Sequence, residues 1–362
     1  MLSSFYFCEK MINSAQPQTL TIRNSHLLKR LPKIIFGILV LLTCGVSYSQ
    51  KVAIQVLQQG VSYSDSSYYD IIPVGDKFWI GGKYGTLKLI DSEGNLSNID
   101  YPSENVDIYK IDHFDDQNLI IGADKGVIYK HNLVSKTWET IKLKGYEKAC
   151  FYNLTVVNDS TAFIAGGNSA IAHSDKTIPF GFILKTIDKG LTWAKVYQNA
   201  FKMVWCVKYN PFNKKVYALM YTPNKTHLYS FDNKKWQREQ KIGNSIFHEI
   251  QFENEKDFVA MGGWMGKKGR IHHNKQKQEI PKAGLIWGRV SNGKYDIYSA
   301  CDGKIVLGDK SGNYKVFGEK LNKAYNIYET VFTSPITAIA IGSARTILLI
   351  KIIEEKHFAK FE

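Results

Sequence analysis

Helical signals are nearly absent from this chain of 362 residues: turn residues alternate at short intervals with β-branched and aromatic runs, which excludes a helical bundle and points to the all-β class. Cysteine is scarce. Cys150, Cys206 and Cys301 lie far apart in apolar stretches, with no CxxC spacing, so neither a disulfide framework nor a dithiol redox centre is expected. One bridge among the three remains open, and the spacing selects no pair. Metal signatures are missing too. His272 and His273 are adjacent, so on a strand they point to opposite sides, and no HExxH accompanies them; no metal and no cofactor is expected. Gly81, Gly82 and Gly85, like Gly262, Gly263, Gly266 and Gly269, open no helix and lack the Gly-Lys-Ser/Thr ending of a phosphate loop. No GxSxG elbow occurs either.

Long hydrophobic runs are limited to one. Lys29, Arg30 and Lys33 lead into the apolar stretch Ile34 to Leu42, followed by small and polar residues through Gln50. That order is the grammar of a secretory signal, and the run is shorter than the roughly 20 residues a membrane span needs. The expectation is therefore a signal peptide with a long n-region over 1–50, cleavage near Gln50, and an exported domain over 51–362 with no membrane span. An uncleaved anchor and a lipid anchor at Cys44 are the alternatives. The net charge of +14 comes from lysines spread singly through turns, the pattern of a solvated surface, and nucleic acid is not an expected partner of an exported chain.

What the sequence does contain is a repeat. Three apolar residues, usually closed by glycine, recur seven times: before Gly81, Gly122, Gly166, Tyr221, Gly262, Gly308 and Gly342. The period is about 45 residues, the length of a four-stranded propeller blade. A strand buried on both sides reads as such a continuous run, and glycine follows where a side chain would clash or a positive φ is needed. An alternating element precedes the runs: Tyr69-Asp70-Ile71, Val106 to Tyr109, Ile246 to Ile250, Tyr295 to Tyr298 and Tyr325 to Tyr328. Such alternation suits an innermost strand. The chain is thus expected to form a single seven-bladed β-propeller, its ring closed by pairing the N-terminal strand Val52 to Leu57 with the C-terminal strand Thr346 to Ile353.

Within blade 3, Thr186, Asp188, Gly190, Thr192 and Trp193 spell S/T-x-D-x-G-x-T-W, and on these residues the chain resembles the Asp-box (BNR-like) propellers. That set includes sialidases, sortilin-like receptors, xyloglucan hydrolases and Ycf48-type assembly factors. Worn copies are Ser230, Asp232 and Trp236 in blade 4, Thr137 and Trp138 in blade 2, and Asp91 and Gly94 in blade 1. The resemblance implies that the box is a structural turn opposite the usual binding side, with Trp193 buried between blades. Sialidase chemistry is not implied, because beyond residue 50 only Arg238, Arg270, Arg289 and Arg345 occur, too late for the family's early arginine.

For function, the sequence favours a non-enzymatic binding or assembly scaffold engaging a protein or glycan outside the cytoplasm. Candidate binding residues are Trp264, Lys267 and Lys268 in the blade 5 loop, His173 in the long blade 3 loop, and Asp70, Asp107, Glu249 and Asp296, expected to face one channel. The alternative is a glycan-active hydrolase or lyase using those carboxylates.

Overall fold

The computed structural model describes residues 47–357 apart from 62–65, 169–180, 223–224, 265–267, 274–275, 310–311, 319–320 and 322–324. Gln50–Glu354 forms one compact unit, and the first 46 residues, with the signal and Cys44, lie outside the described residues. Every described element is a strand or turn. The strands form seven four-stranded sheets, and no helix among the described residues is long and apolar enough to cross a membrane.

The innermost strands, one per sheet, are Tyr68–Val74, Ile108–Asp115, Ala149–Val156, Met203–Asn210, Ile246–Phe252, Ile286–Ser291 and Ile327–Ser334. Each touches the innermost strand of the next sheet, and the seventh touches the first. The fold is a closed seven-bladed β-propeller. Blade 7 takes three strands from the C-terminal end and its outermost from Ser47–Gln58, which lies beside Ile347–His357 as the sequence implied. Val52, Ile54 and Leu57 of that clasp pack on the apolar clusters flanking blade 7.

Burial follows the repeat. Ile80, Ile120, Ile164, Leu219, Ala260 and Ile339 on the second strands are fully enclosed, each Ile or Leu contributing about 2 to 3 kcal/mol of burial. The clusters lie between blades, as where Phe114, Ile120 and Ile128 of blade 2 meet Phe151, Leu154 and Phe182 of blade 3.

Blade 6 corrects one sequence assignment. Tyr295–Ala300 is its second strand and Ile305–Asp309 its third, so Asp296 is not on an innermost strand. The true innermost strand, Ile286–Ser291, hides from the pattern because Gly288 and Arg289 stand where blades 1, 2, 3 and 5 carry a polar residue and then an apolar one. A Cβ at Gly288 would come within 2.8 Å of Glu329 Oε1, so glycine there leaves room for the neighbouring blade's side chain.

The glycine that closes each run has a single cause in several blades. In every innermost strand the register slips by one residue near its start, between Tyr68 and Asp70, Ile108 and Lys110, Cys150 and Asn153, Val204 and Cys206, Phe247 and Glu249, Ile286 and Gly288, and Ile327 and Glu329. The bulge presses the innermost backbone against the second strand. A Cβ on Gly262 or Gly342, or on Gly82, which follows the run-closing Gly81 of blade 1, would collide with the carbonyl of Ile246, Asn326 or Ser67 respectively. Close approach, rather than a positive φ, requires glycine at these three positions.

At the opposite end, the turns between third and fourth strands are closed by acidic or amide side chains. Asp91, Asn132, Asp188, Asp232 and Asp309 each accept at least one backbone N–H of their own turn. In blade 3, Asp188 takes the Thr192 N–H at 2.9 Å and the Thr186 hydroxyl at 2.7 Å, Gly190 sits at φ 81°, and the Trp193 indole donates to the Gly190 carbonyl at 3.0 Å. Although desolvation pushes the Asp188 carboxyl up, these hydrogen bonds prevail and hold it at about 2. Trp193 packs on the core shared by blades 2 and 3 but is half-buried, less enclosed than the resemblance implied.

Candidate functional site: an aromatic funnel at the channel mouth

A β-bulge re-aims the side chain of its extra residue. Here that residue is Tyr69, Tyr109, Tyr152, Trp205, His248, Trp287 or Tyr328, one from each blade in turn, with Phe151 beside Tyr152 in the wider slip of blade 3. All seven line one cavity of about 470 Å³ on the axis, at the end where the innermost strands begin. Ring contacts run from Trp205 through Tyr152, Tyr109, Tyr69, Tyr328 and Trp287 to His248, with centroids 4.8 to 5.9 Å apart. The lining is mainly apolar, and its volume suits a small ligand or a single large side chain.

Polar groups converge below the rings. Glu249, Glu329, Asn153 and Lys110 line the cavity. Lys110 is held 2.6 Å from Asp70 and 3.7 Å from Glu329; burial opposes its charge, but these carboxylates and Glu249 outweigh that and keep it protonated. Lys208 stands 3.9 Å from Glu249. Burial pushes the Glu329 carboxyl up to about 7, partly offset by Lys110, and pushes the His248 imidazole down to about 4. The His248 Nε2 and Trp205 Nε1 atoms are enclosed without a hydrogen-bond partner. Such groups are costly unless something satisfies them.

The other sequence candidates divide sharply. Asp70 is fully buried on its strand, where its second oxygen accepts the Ile111 N–H at 2.7 Å, capping the next blade. Asp112 does the same for Val156, and Asn153 for Val207. Asp107 accepts the Tyr84 N–H at 2.9 Å in the loop joining blades 1 and 2. Asp296 lies elsewhere, bound to Arg289 at 2.9 Å beside a separate 580 Å³ cavity between blades 5 and 6, whose Arg289 also holds Glu253. Of the four carboxylates expected in one channel, only Glu249 lines the funnel. Trp264 is half-buried, and Lys268 pairs with Glu279 at 2.9 Å on the surface. Lys267 and His173 lie outside the described residues.

Cys150, Cys206 and Cys301 are all free and buried, and burial raises the thiols of Cys150 and Cys301 to about 12 and 11, which leaves them unreactive. Among the described residues no group of three or more His, Cys, Asp or Glu side chains could hold a metal ion.

Solved structures with this architecture include a YCF48 bound to a D1 peptide, 12% identical with a TM-score of 0.60 over 82% of this chain and 96% of that one. YCF48 from Cyanidioschyzon merolae is likewise 12% identical, with a TM-score of 0.60 over 83% of this chain and 98% of that one. A virginiamycin B lyase from Staphylococcus aureus is 11% identical, with a TM-score of 0.64 over 84% of this chain and 100% of that one. At these identities the likeness is one of fold. The sequence matches no family model and no curated protein.

The seven aromatic residues were the principal omission of the sequence reading. Their signal was present in part, as Tyr69, Tyr109, His248 and Tyr328 stand inside the alternating elements already noted. Tyr152, Trp205 and Trp287 escape because a bulge shifts the period by one residue, and alternation counted straight through it assigns them to the wrong side.

Proposed function

We propose that the protein is a non-enzymatic binding propeller that works outside the cytoplasm and captures a protein partner on the face where the innermost strands begin, with one side chain of the partner seated in the aromatic funnel. The observation that carries this reading is the ring of seven aromatic side chains, one delivered by a bulge in every blade, of which Trp205 and His248 carry ring nitrogens enclosed without a partner. Aromatic groups of this kind are typical anchors in recognition. That a YCF48 of this architecture is bound to a D1 peptide supports a peptide partner here, and the turn at Asp188 supports placing this chain among Asp-box propellers.

Peptide arrays probed with the purified protein test the proposal. Peptides retained by the wild type are expected to lose at least tenfold in affinity with Trp205→Ala and to keep it with Asp188→Ala, which alters only the opposite end. Retention indifferent to Trp205 would exclude the funnel as the anchor.

A second reading, turnover of a glycan, has one observation in its favour: Glu249 and Glu329 share the cavity, and Glu329 titrates where a general acid works. Asp70, Asp107 and Asp296 do not support it, since each is spent on a backbone N–H or an arginine. Polysaccharide degradation abolished by Glu329→Gln in a folded protein would favour this reading over capture.

A further inference from the structure

We propose that the funnel is a receptor for an organic ammonium cation, held against the faces of the aromatic ring with the Glu249 and Glu329 carboxylates beneath it as counter-charge. The inference rests on the binding reading above and specifies what that site takes.

Charge decides between an ammonium group and the other small groups that would fit. Among the described lining residues the cavity has two carboxylates and one cation, Lys110. That cation is already committed, 2.6 Å from the buried Asp70, and so it neutralises a charge that does not line the cavity. Lys208 offsets Glu249 only at 3.9 Å and from outside the lining. Three carboxylates, Asp70, Glu249 and Glu329, thus face two lysines, Lys110 and Lys208. The balance beneath the rings is negative by one charge when Glu329 is ionised and declines as it takes up its proton near pH 7, while the protein as a whole carries +14. An anion would meet the two carboxylates and the negative faces of the rings. A neutral apolar group would fill the space but leave Glu329 buried without a full partner. An alkylated ammonium satisfies both features, because its methyl groups pack on aromatic faces while its charge interacts with their quadrupoles.

The enclosure supports the same choice. His248 is neutral at physiological pH, so the imidazole stacked on Trp287 at 4.8 Å acts as another aromatic wall rather than a competing cation. Glu329 faces Lys110 from blade 2, Asp70 from blade 1 and Glu249 from blade 5. A cation placed among them favours the ionised carboxylate, so binding is expected to tighten between pH 6 and 8 as Glu329 loses its proton.

Two sources of ammonium are chemically equivalent here, a small quaternary amine and a methylated lysine on a protein. The experiment is titration calorimetry of the full protein with choline, with its uncharged isostere 3,3-dimethylbutan-1-ol, and with a short peptide carrying trimethyllysine. Choline is expected to bind about tenfold more tightly than the alcohol. A further gain with the peptide identifies a protein source, and equal or weaker binding of the peptide identifies a free amine. Tyr109→Leu, which keeps the bulk, is expected to weaken choline at least fivefold, and Glu329→Gln to weaken it and remove the pH dependence, with melting curves confirming that both variants are folded. Equal affinity for choline and the alcohol, or no binding of choline and the peptide alike, overturns the inference. Array peptides whose retention depends on Trp205 but ignores choline as a competitor would overturn it while leaving the binding reading intact.

Discussion

The two ends of the propeller are made of the same strands and treat their polar groups in opposite ways. At the far end, Asp91, Asn132, Asp188, Asp232 and Asp309 turn back on their own backbone and satisfy the N–H groups of each turn. At the mouth, the bulges expose aromatic rings, and the polar atoms of Trp205 and His248 are enclosed without partners. The far end has its own exception, the Trp236 Nε1 enclosed without a partner beside the Asp232 turn, but its turn N–H groups are self-satisfied, whereas the unpartnered atoms of the mouth border a cavity open to a ligand. The comparison also runs along a single strand: Asp70 and Tyr69 are adjacent, one caged by Lys110 and Ile111 and the other facing the cavity.

The largest effect is expected where the comparison is most exposed to failure. Asp70→Ala leaves Lys110 buried without its carboxylate and the Ile111 N–H unpaired, and should cost about 3 to 5 kcal/mol in urea denaturation. Asp70→Asn, which still accepts from Ile111, should recover part of that. A wild-type midpoint for Asp70→Ala would mean that this carboxylate is not structural.

Next comes a pH effect of the site itself. Glu329 binds its proton more tightly folded, at about 7, than unfolded, near 4.5. Its contribution is present in full below the unfolded value and is lost as pH rises through 7, so stability falls across that window by up to about 3 kcal/mol. Glu329→Gln should flatten the profile. Identical pH profiles in the two proteins would show that burial does not govern this group.

Smaller effects belong to the far end. Because Trp193 is half-buried, Trp193→Ala should cost about 2 kcal/mol, below the range of fully enclosed aromatic residues, and Asp188→Ala about 1 kcal/mol through lost turn hydrogen bonds. Neither should alter affinity at the mouth when measured well below its melting temperature. The smallest stability change, under about 1 kcal/mol, is expected for Tyr109→Leu, which exchanges one half-buried apolar body for another. If Tyr109→Leu unfolded the protein and Asp188→Ala abolished binding, the roles assigned to the two ends would have to be exchanged.

The architecture was legible because burial on both sides of the second strands leaves an unmistakable record, seen in Leu119-Ile120-Ile121 or Ile339-Ala340-Ile341. It failed in blade 6, where Tyr295 to Tyr298 imitates an innermost strand and the real one is broken by Gly288 and Arg289. The mouth was less legible for a related reason. A bulge adds one residue that sequence periodicity cannot distinguish from a continuing strand, so the acids next to the bulge drew notice and the rings did not. The acids themselves misled, since a carboxylate at an innermost strand can cap the neighbouring blade, as Asp70 and Asp112 do, as readily as it can meet solvent.

The clasp in blade 7 bears on all of this. The Tyr328 and Tyr69 rings, 5.7 Å apart, meet where blade 7 joins blade 1, a joint the chain itself spans from Gln58 to Tyr68; the closure without a covalent link lies inside blade 7, where Ser47–Gln58 pairs with Ile347–His357. Strain on the two chain ends is therefore borne by a seam at the outer edge of blade 7, with two further strands between it and the axis. A tether pulling Ser47–Gln58 away from Ile347–His357 would peel the outer edge of blade 7 and leave the innermost strands that carry the aromatic wall paired, so mechanical load at the termini is taken up by a hydrogen-bonded edge remote from the mouth.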